Sequence, residues 1–139
     1  MQKIFLDTNI IADVFDETRP FHTESSKALE RCFSMGLELL TSCDIITTLY
    51  YVYSKKSKQL ALQKIEAINR VLGVIEFSNT EVAHTCNLML SDPKFKDLED
   101  TIQYILAKKS GCDCIITNDL NFYSPEVARF TSREFLEQL

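Results

Sequence analysis

The sequence has no apolar run long enough to span a bilayer. Its start also lacks the basic stretch and long apolar segment of a secretory signal. Membrane insertion and secretion are not expected, and the cytoplasm is the expected location. The cysteines, Cys32, Cys43, Cys86, Cys112 and Cys114, are odd in number and have no framework-like spacing, which speaks against a disulfide scaffold. Cys112-Asp113-Cys114 is a C-x-C with no histidine nearby. It lacks the spacing of a zinc site, and its thiols read as small core side chains. His22 and His84 are isolated and form no metal-ligand pair. A basic excess is missing too. The net charge of −5 argues against a surface coated for nucleic acid, though not against acids gathered in one place to hold a cation. No repeat, low-complexity tract or internal linker interrupts the chain.

What is present has the balance of a folded domain: 139 residues, 45% apolar and 25% charged, enough for one core around a single sheet. Short apolar runs alternate with longer helical ones. Residues 3–6 predict a buried strand ending on Asp7. Residues 37–41, 74–77 and 114–117 predict three more, and residues 127–130 a short edge strand. Between them the spacing predicts helices over 9–16, 21–35 (Pro20 in its first turn, Gly36 its stop) and 42–56, capped by Ser42. Ser57 caps a helix over 58–72 that turns Leu60, Leu62, Ile65, Ile68 and Leu72 inward and closes at Gly73. Ser78 and Glu81 have the form of a capping box for a helix over 79–90, and Thr131 and Glu134 for the last one. A helix over 97–109 ends at Gly111. Strands separated by helices imply right-handed crossovers. The expected class is α/β, a three-layer α/β/α sandwich with a mostly parallel sheet of four or five strands, as one domain over residues 1–139.

In such sheets ligands bind beyond the carboxyl ends of the strands. Two predicted strands end there on acids, Asp7 in LDTNI and Asp119 in IITND. Asp100 lies in the first turn of its helix, with Asp97 one turn earlier on a similar face. Gathered carboxylates repel one another, so their convergence implies a cation. Hard divalent ions such as Mg²⁺ and Mn²⁺ take oxygen ligands and promote hydrolysis of phosphate esters. Taken singly, each acid reads equally well as a helix cap. The combination is what points to a site.

Together, LDTNI, LEDTIQYILA and IITND resemble the PIN-domain ribonucleases, and among them the small bacterial proteins that include VapC-type toxins. The resemblance runs over nearly the whole chain. It implies a PIN-like fold and an endoribonuclease that cleaves single-stranded RNA by hydrolysis, with Mg²⁺ or Mn²⁺ at Asp7, Asp100 and Asp119. It implies support from Asn9 and Thr117, a partner antitoxin, and a homodimer. The sequence departs from the family in the helix after the second strand. Aligning SCDIITTLYY puts Thr48 where the family commonly has an acid. Asp44, one turn earlier on roughly the same face, is a candidate substitute, or else only favours the helix N-terminus.

Other readings stand beside this one. A PIN-fold interaction module with lost catalysis would account for Thr48. A Mg²⁺-dependent phosphotransfer domain would also use an acid at a strand end, but the phosphatase kind wants a second acid where Asn9 stands. Lys55, Lys56 and Lys58 are either a solvated helix end or a contact for an RNA backbone. Tyr50, Tyr51 and Tyr53 are core or a dimer face.

Overall fold

The computed structural model describes residues 1–138. Its elements are β1 (Lys3–Leu6), α1 (Thr8–Val14), α2 (His22–Ser34), β2 (Glu38–Ser42), α3 (Asp44–Tyr53), α4 (Lys58–Val71), β3 (Gly73–Ile75), α5 (Asn79–Ser91), α6 (Leu98–Lys109), β4 (Cys114–Ile116), β5 (Ala128–Phe130) and α7 (Ser132–Glu137). The strands form one sheet in the order β3-β2-β1-β4-β5 with every pairing parallel. The expected sandwich is present, with five strands.

Alternation along β1 sorts the two faces. Ile4 and Leu6 join a cluster that includes Ile10, Ala28, Ile45, Ile68 and Phe135, from α1, α2, α3, α4 and α7. Phe5 joins the other cluster, which includes Ile102, Ile105, Leu106 and Phe122 and is covered by α6, with Leu88 of α5 packed against it. Phe5, Leu6, Ile115 and Ile116 are fully buried, as central parallel strands covered on both faces must be.

Most helix limits follow the expected caps. Ser57 Oγ accepts from the Leu60 N–H at 3.2 Å, and Thr131 Oγ1 accepts from that of Glu134 at 3.1 Å. Ser78 and Glu81 close a capping box. Gly36 and Gly111 follow α2 and α6 with φ of 68° and 71°, the left-handed conformation of a helix stop. Several features differ from the sequence expectation. Pro20 lies in the turn before α2, which begins at His22 after an N-cap at Phe21. Ser42 is the last residue of β2, paired with Ile75, so it does not cap α3. Its hydroxyl donates to the Asp44 carboxylate instead. Gly73 opens β3, and a Cβ there would come within 2.5 Å of Leu40 Cδ2. On α4 the core stripe is Ala61, Ile65, Ile68 and Leu72, and Leu60 and Leu62 are exposed. That 61-65-68-72 spacing is the helical period, which overrides hydrophobicity at the flanking positions. Tyr53 is buried whereas Tyr51 and Val52 are exposed.

The site follows from the strand order. From β1 the chain moves to β2 on one side, while β4 pairs with β1 on the other. The connections part between β1 and β4, and a crevice opens there at the carboxyl ends of both strands. Among the described residues, no helix is long and apolar enough to cross a membrane.

Candidate metal centre

Asp7 stands at this crevice because the backbone continues the ladder one residue past β1: its N–H donates to the Ile116 carbonyl at 3.1 Å. It is also the N-cap of α1, with Oδ1 accepting from the Thr8 N–H at 2.7 Å. The capping reading is therefore right for one oxygen only. Oδ2 accepts from Thr117 Oγ1 at 2.7 Å and from Asn9 Nδ2 at 2.9 Å. Thr117 Oγ1 in turn accepts from Asn9 Nδ2 at 3.1 Å and from the Asp119 N–H at 3.0 Å. The Asn118 N–H donates to Asn9 Oδ1 at 3.0 Å. The ends of β1 and β4 are thus tied into one polar network, with Asp7 and Thr117 5% and 1% exposed. Burial raises the pKa of Asp7, opposed by hydrogen bonds from Thr117, the Thr8 backbone and Gln103.

The opposite wall is the first turn of α6. Asp97 caps this helix, its Oδ1 accepting from the Asp100 N–H at 2.8 Å. Asp100 has its pKa pushed up to about 7. Burial contributes most, followed by the charges of Asp7, Asp97, Asp119 and Glu99. The charges of Asp7 and Asp119 therefore reach Asp100.

Glu99 and Gln103 also belong here, and the sequence reading missed them. Glu99 Oε1 accepts from Thr8 Oγ1 and from Gln103 Nε2, both at 3.3 Å. Its pKa is raised by burial, then by Asp44 and Asp7. Gln103 is fully buried, and its Oε1 has no partner among the described residues. The available signal was position: Glu99 adjoins Asp100, and Gln103 lies one helical turn further along the same face. On α3, the charge of Asp44 reaches Glu99. Thr48 is exposed, and its hydroxyl donates to the Asp44 carbonyl of its own helix at 3.3 Å.

The donors are the hard oxygens that small divalent ions prefer. Among the described residues no three His, Cys, Asp or Glu side chains converge closely enough to hold an ion as they stand. The acids would have to move closer to hold an ion, which would offset the mutual repulsion that adds to burial at Asp100, and Gln103 Oε1 is an acceptor left over beside them. The donor set fits such a cation. A cleft of about 730 Å³ opens next to Asp97, Asp100 and Asp119, walled by Lys94, Lys96, Tyr123 and Arg129, a size suited to a nucleotide. Burial pushes the Cys112 and Cys114 thiols to about 11 and about 12, so they are core residues. His22 Nδ1 is paired with the Asp13 carbonyl at 2.7 Å. Lys55 lies over the Tyr51 ring, 4.8 Å from its centroid.

A parallel sheet in this order, with carboxylates at the ends of β1 and β4 facing those of α6, defines a class of acid-centred α/β domains. The sequence profile of the PIN domain matches residues 3–121, and the chain belongs to the PIN-domain family. It is 47% identical over 137 residues to Ribonuclease VapC1 of Aquifex aeolicus (strain VF5), an alignment covering 99% of this chain and 95% of that protein. Solved structures share the fold. VapC20 of Mycobacterium tuberculosis, described as a sarcin-ricin loop cleaving toxin, superposes with a TM-score of 0.70 at 15% identity, covering 90% of this chain and 96% of that one. The DNA-bound VapBC of Salmonella typhimurium gives a TM-score of 0.74 at 18% identity over 95% of this chain and 99% of its own.

Proposed function

We propose that the protein is a divalent-metal-dependent endoribonuclease that cleaves single-stranded RNA by hydrolysis, and that it is the toxin of a toxin–antitoxin pair. The observation that carries this reading is that Thr117 ties Asp7 to the Asp119 backbone beside Asp100, whose pKa is pushed up to about 7 by burial and then by the charges of Asp7, Asp97, Asp119 and Glu99. The name of the Aquifex aeolicus relative supports the activity, and the VapBC complexes among the structural neighbours support an antitoxin partner.

In this reading Asp7, Asp100 and Asp119 hold Mg²⁺ or Mn²⁺. When bound, the ion activates water and offsets charge on the phosphodiester. Asp100, protonated for part of the time near pH 7, would have to lose its proton to serve as a ligand. Thr117 and Asn9 fix the Asp7 oxygens, Asp97 positions the start of α6, and Glu99 with Asp44 supplies the negative charge that Thr48 lacks. Lys94 and Lys96 at the cleft meet phosphates. The chain works as one nuclease domain in the cytoplasm. Exposed apolar side chains such as Phe33, Val71 and Tyr51 give surfaces for the antitoxin and for a second copy of the chain.

A cleavage assay on single-stranded RNA with Mn²⁺ tests the activity. Wild-type protein cuts, and Asp100→Asn, folded by circular dichroism, loses on the order of 100-fold or more. Equal cutting by the two proteins overturns the assignment. The interaction-module reading rests on Thr48, and it prevails if neither protein cuts and neither binds Mn²⁺.

A further inference from the structure

We propose that Arg19 is a phosphate-binding residue that holds the RNA backbone beside the acidic centre, a subsite that rests on the nuclease reading. Arg19 follows α1 in the turn before α2, and its Nε donates to Asp13 Oδ1 at 2.7 Å. Asp13 is 2% exposed. Its other oxygen accepts from Ser25 Oγ at 2.8 Å and Asn118 Nδ2 at 3.0 Å, so both oxygens are held. Asn118 is itself clamped: its Oδ1 accepts from the Ser132 N–H at 3.0 Å, and its own N–H reaches Asn9. The guanidinium is therefore anchored to the same framework that carries Asp7 and Asp119.

A structural ion pair alone would not need an arginine in this pose. Only Nε is used, and among the described residues no carboxylate or carbonyl accepts from the terminal nitrogens. The side chain is 40% exposed. Arg19 lines an open cavity of about 250 Å³ together with Asn9, Phe21, Asn118 and Asp119. Asp13, already paired with Arg19, lines the same hollow, and Asp119 of the candidate centre forms another part of its wall. A planar fork of donors held in place by its own Nε suits the paired oxygens of a phosphodiester. The hollow has room for a phosphate, and a contact to the backbone alone would carry no sequence information.

The test is equilibrium binding of an uncut phosphorothioate single-stranded RNA in Mg²⁺, followed by fluorescence anisotropy at rising salt. Arg19→Gln weakens binding about tenfold and makes the slope of log K against log salt shallower by about 0.7, the loss of one single-strand phosphate contact. Arg19→Lys keeps a charge against Asp13 and so keeps the fold. Its single ammonium is spent on that pair, so it shows the same loss. It decides the matter where Arg19→Gln does not fold. Arg70→Gln, which removes an equal charge from an exposed pair with Glu66 on α4, leaves affinity and slope unchanged. Wild-type affinity and slope in either folded Arg19 variant overturns the subsite while the nuclease reading stands. A wild-type protein that neither binds nor cuts RNA overturns both.

Discussion

Asp100 holds a proton at a pH where a carboxyl is ordinarily ionised, because burial and the charges of Asp7, Asp97, Asp119 and Glu99 all oppose its ionised form. The consequence for stability has a definite sign. Between the ordinary value of 3.8 and about 7 the folded protein binds more protons than the unfolded chain, so stability falls as pH rises through that window and the loss is complete above it. Asp100→Asn removes the charge. In a metal chelator the variant should be more stable than wild type by about 1–2 kcal/mol at pH 8, a figure reduced for partial exposure, and indistinguishable from it near pH 4. Thermal melts at the two pH values check this, and equal melting at pH 8 contradicts it. Thr117 has the opposite character. Its hydroxyl donates to Asp7 and accepts from Asn9 and Asp119, so Thr117→Val leaves a buried carboxylate short of a donor. Denaturant unfolding at pH 7 should show a loss of about 1–3 kcal/mol.

At the level of elements, much was legible because local chemistry decides it. Capping boxes at Ser78 and Thr131 and stops at Gly36 and Gly111 depend on residues a few positions apart. So do the strand ends at Asp7 and Asp119. The half-buried cap Ser57 is a clean test: Ser57→Ala should cost about 1 kcal/mol without altering activity, since it lies outside the candidate site. What was not legible depends on partners distant in sequence. Ser42 looks like a cap until Ile75 pairs with it in the sheet. Gly73 looks like a helix stop until Leu40 is found against it, and Gly73→Ala should therefore cost more than the cap does, about 1–3 kcal/mol. Glu99 and Gln103 acquire meaning only when α6 is laid across Thr8 and Asp7. The pairing of Arg19 with Asp13 and the tie to Asn118, 105 residues away from Asp13, could not be read from spacing.

At the scale of the molecule, an acidic protein handles an acidic polymer by placing its charges unevenly. The acids gather where the sheet order reverses, Lys94 and Lys96 line the cleft on one side, and Arg19 lines the hollow on the other. In the proposed reading the acid cluster is a working centre only if it takes up a cation. The most direct measurement is a calorimetric titration of Mn²⁺ into wild type and Asp100→Asn near pH 7. Wild type should show saturable binding with proton release that diminishes as pH rises from 6 to 8, because Asp100 titrates at about 7. The variant should bind at least about tenfold more weakly. Wild-type protein with no saturable binding at roughly millimolar ion, or binding unaffected by Asp100→Asn, would contradict the assignment of these acids as a metal centre.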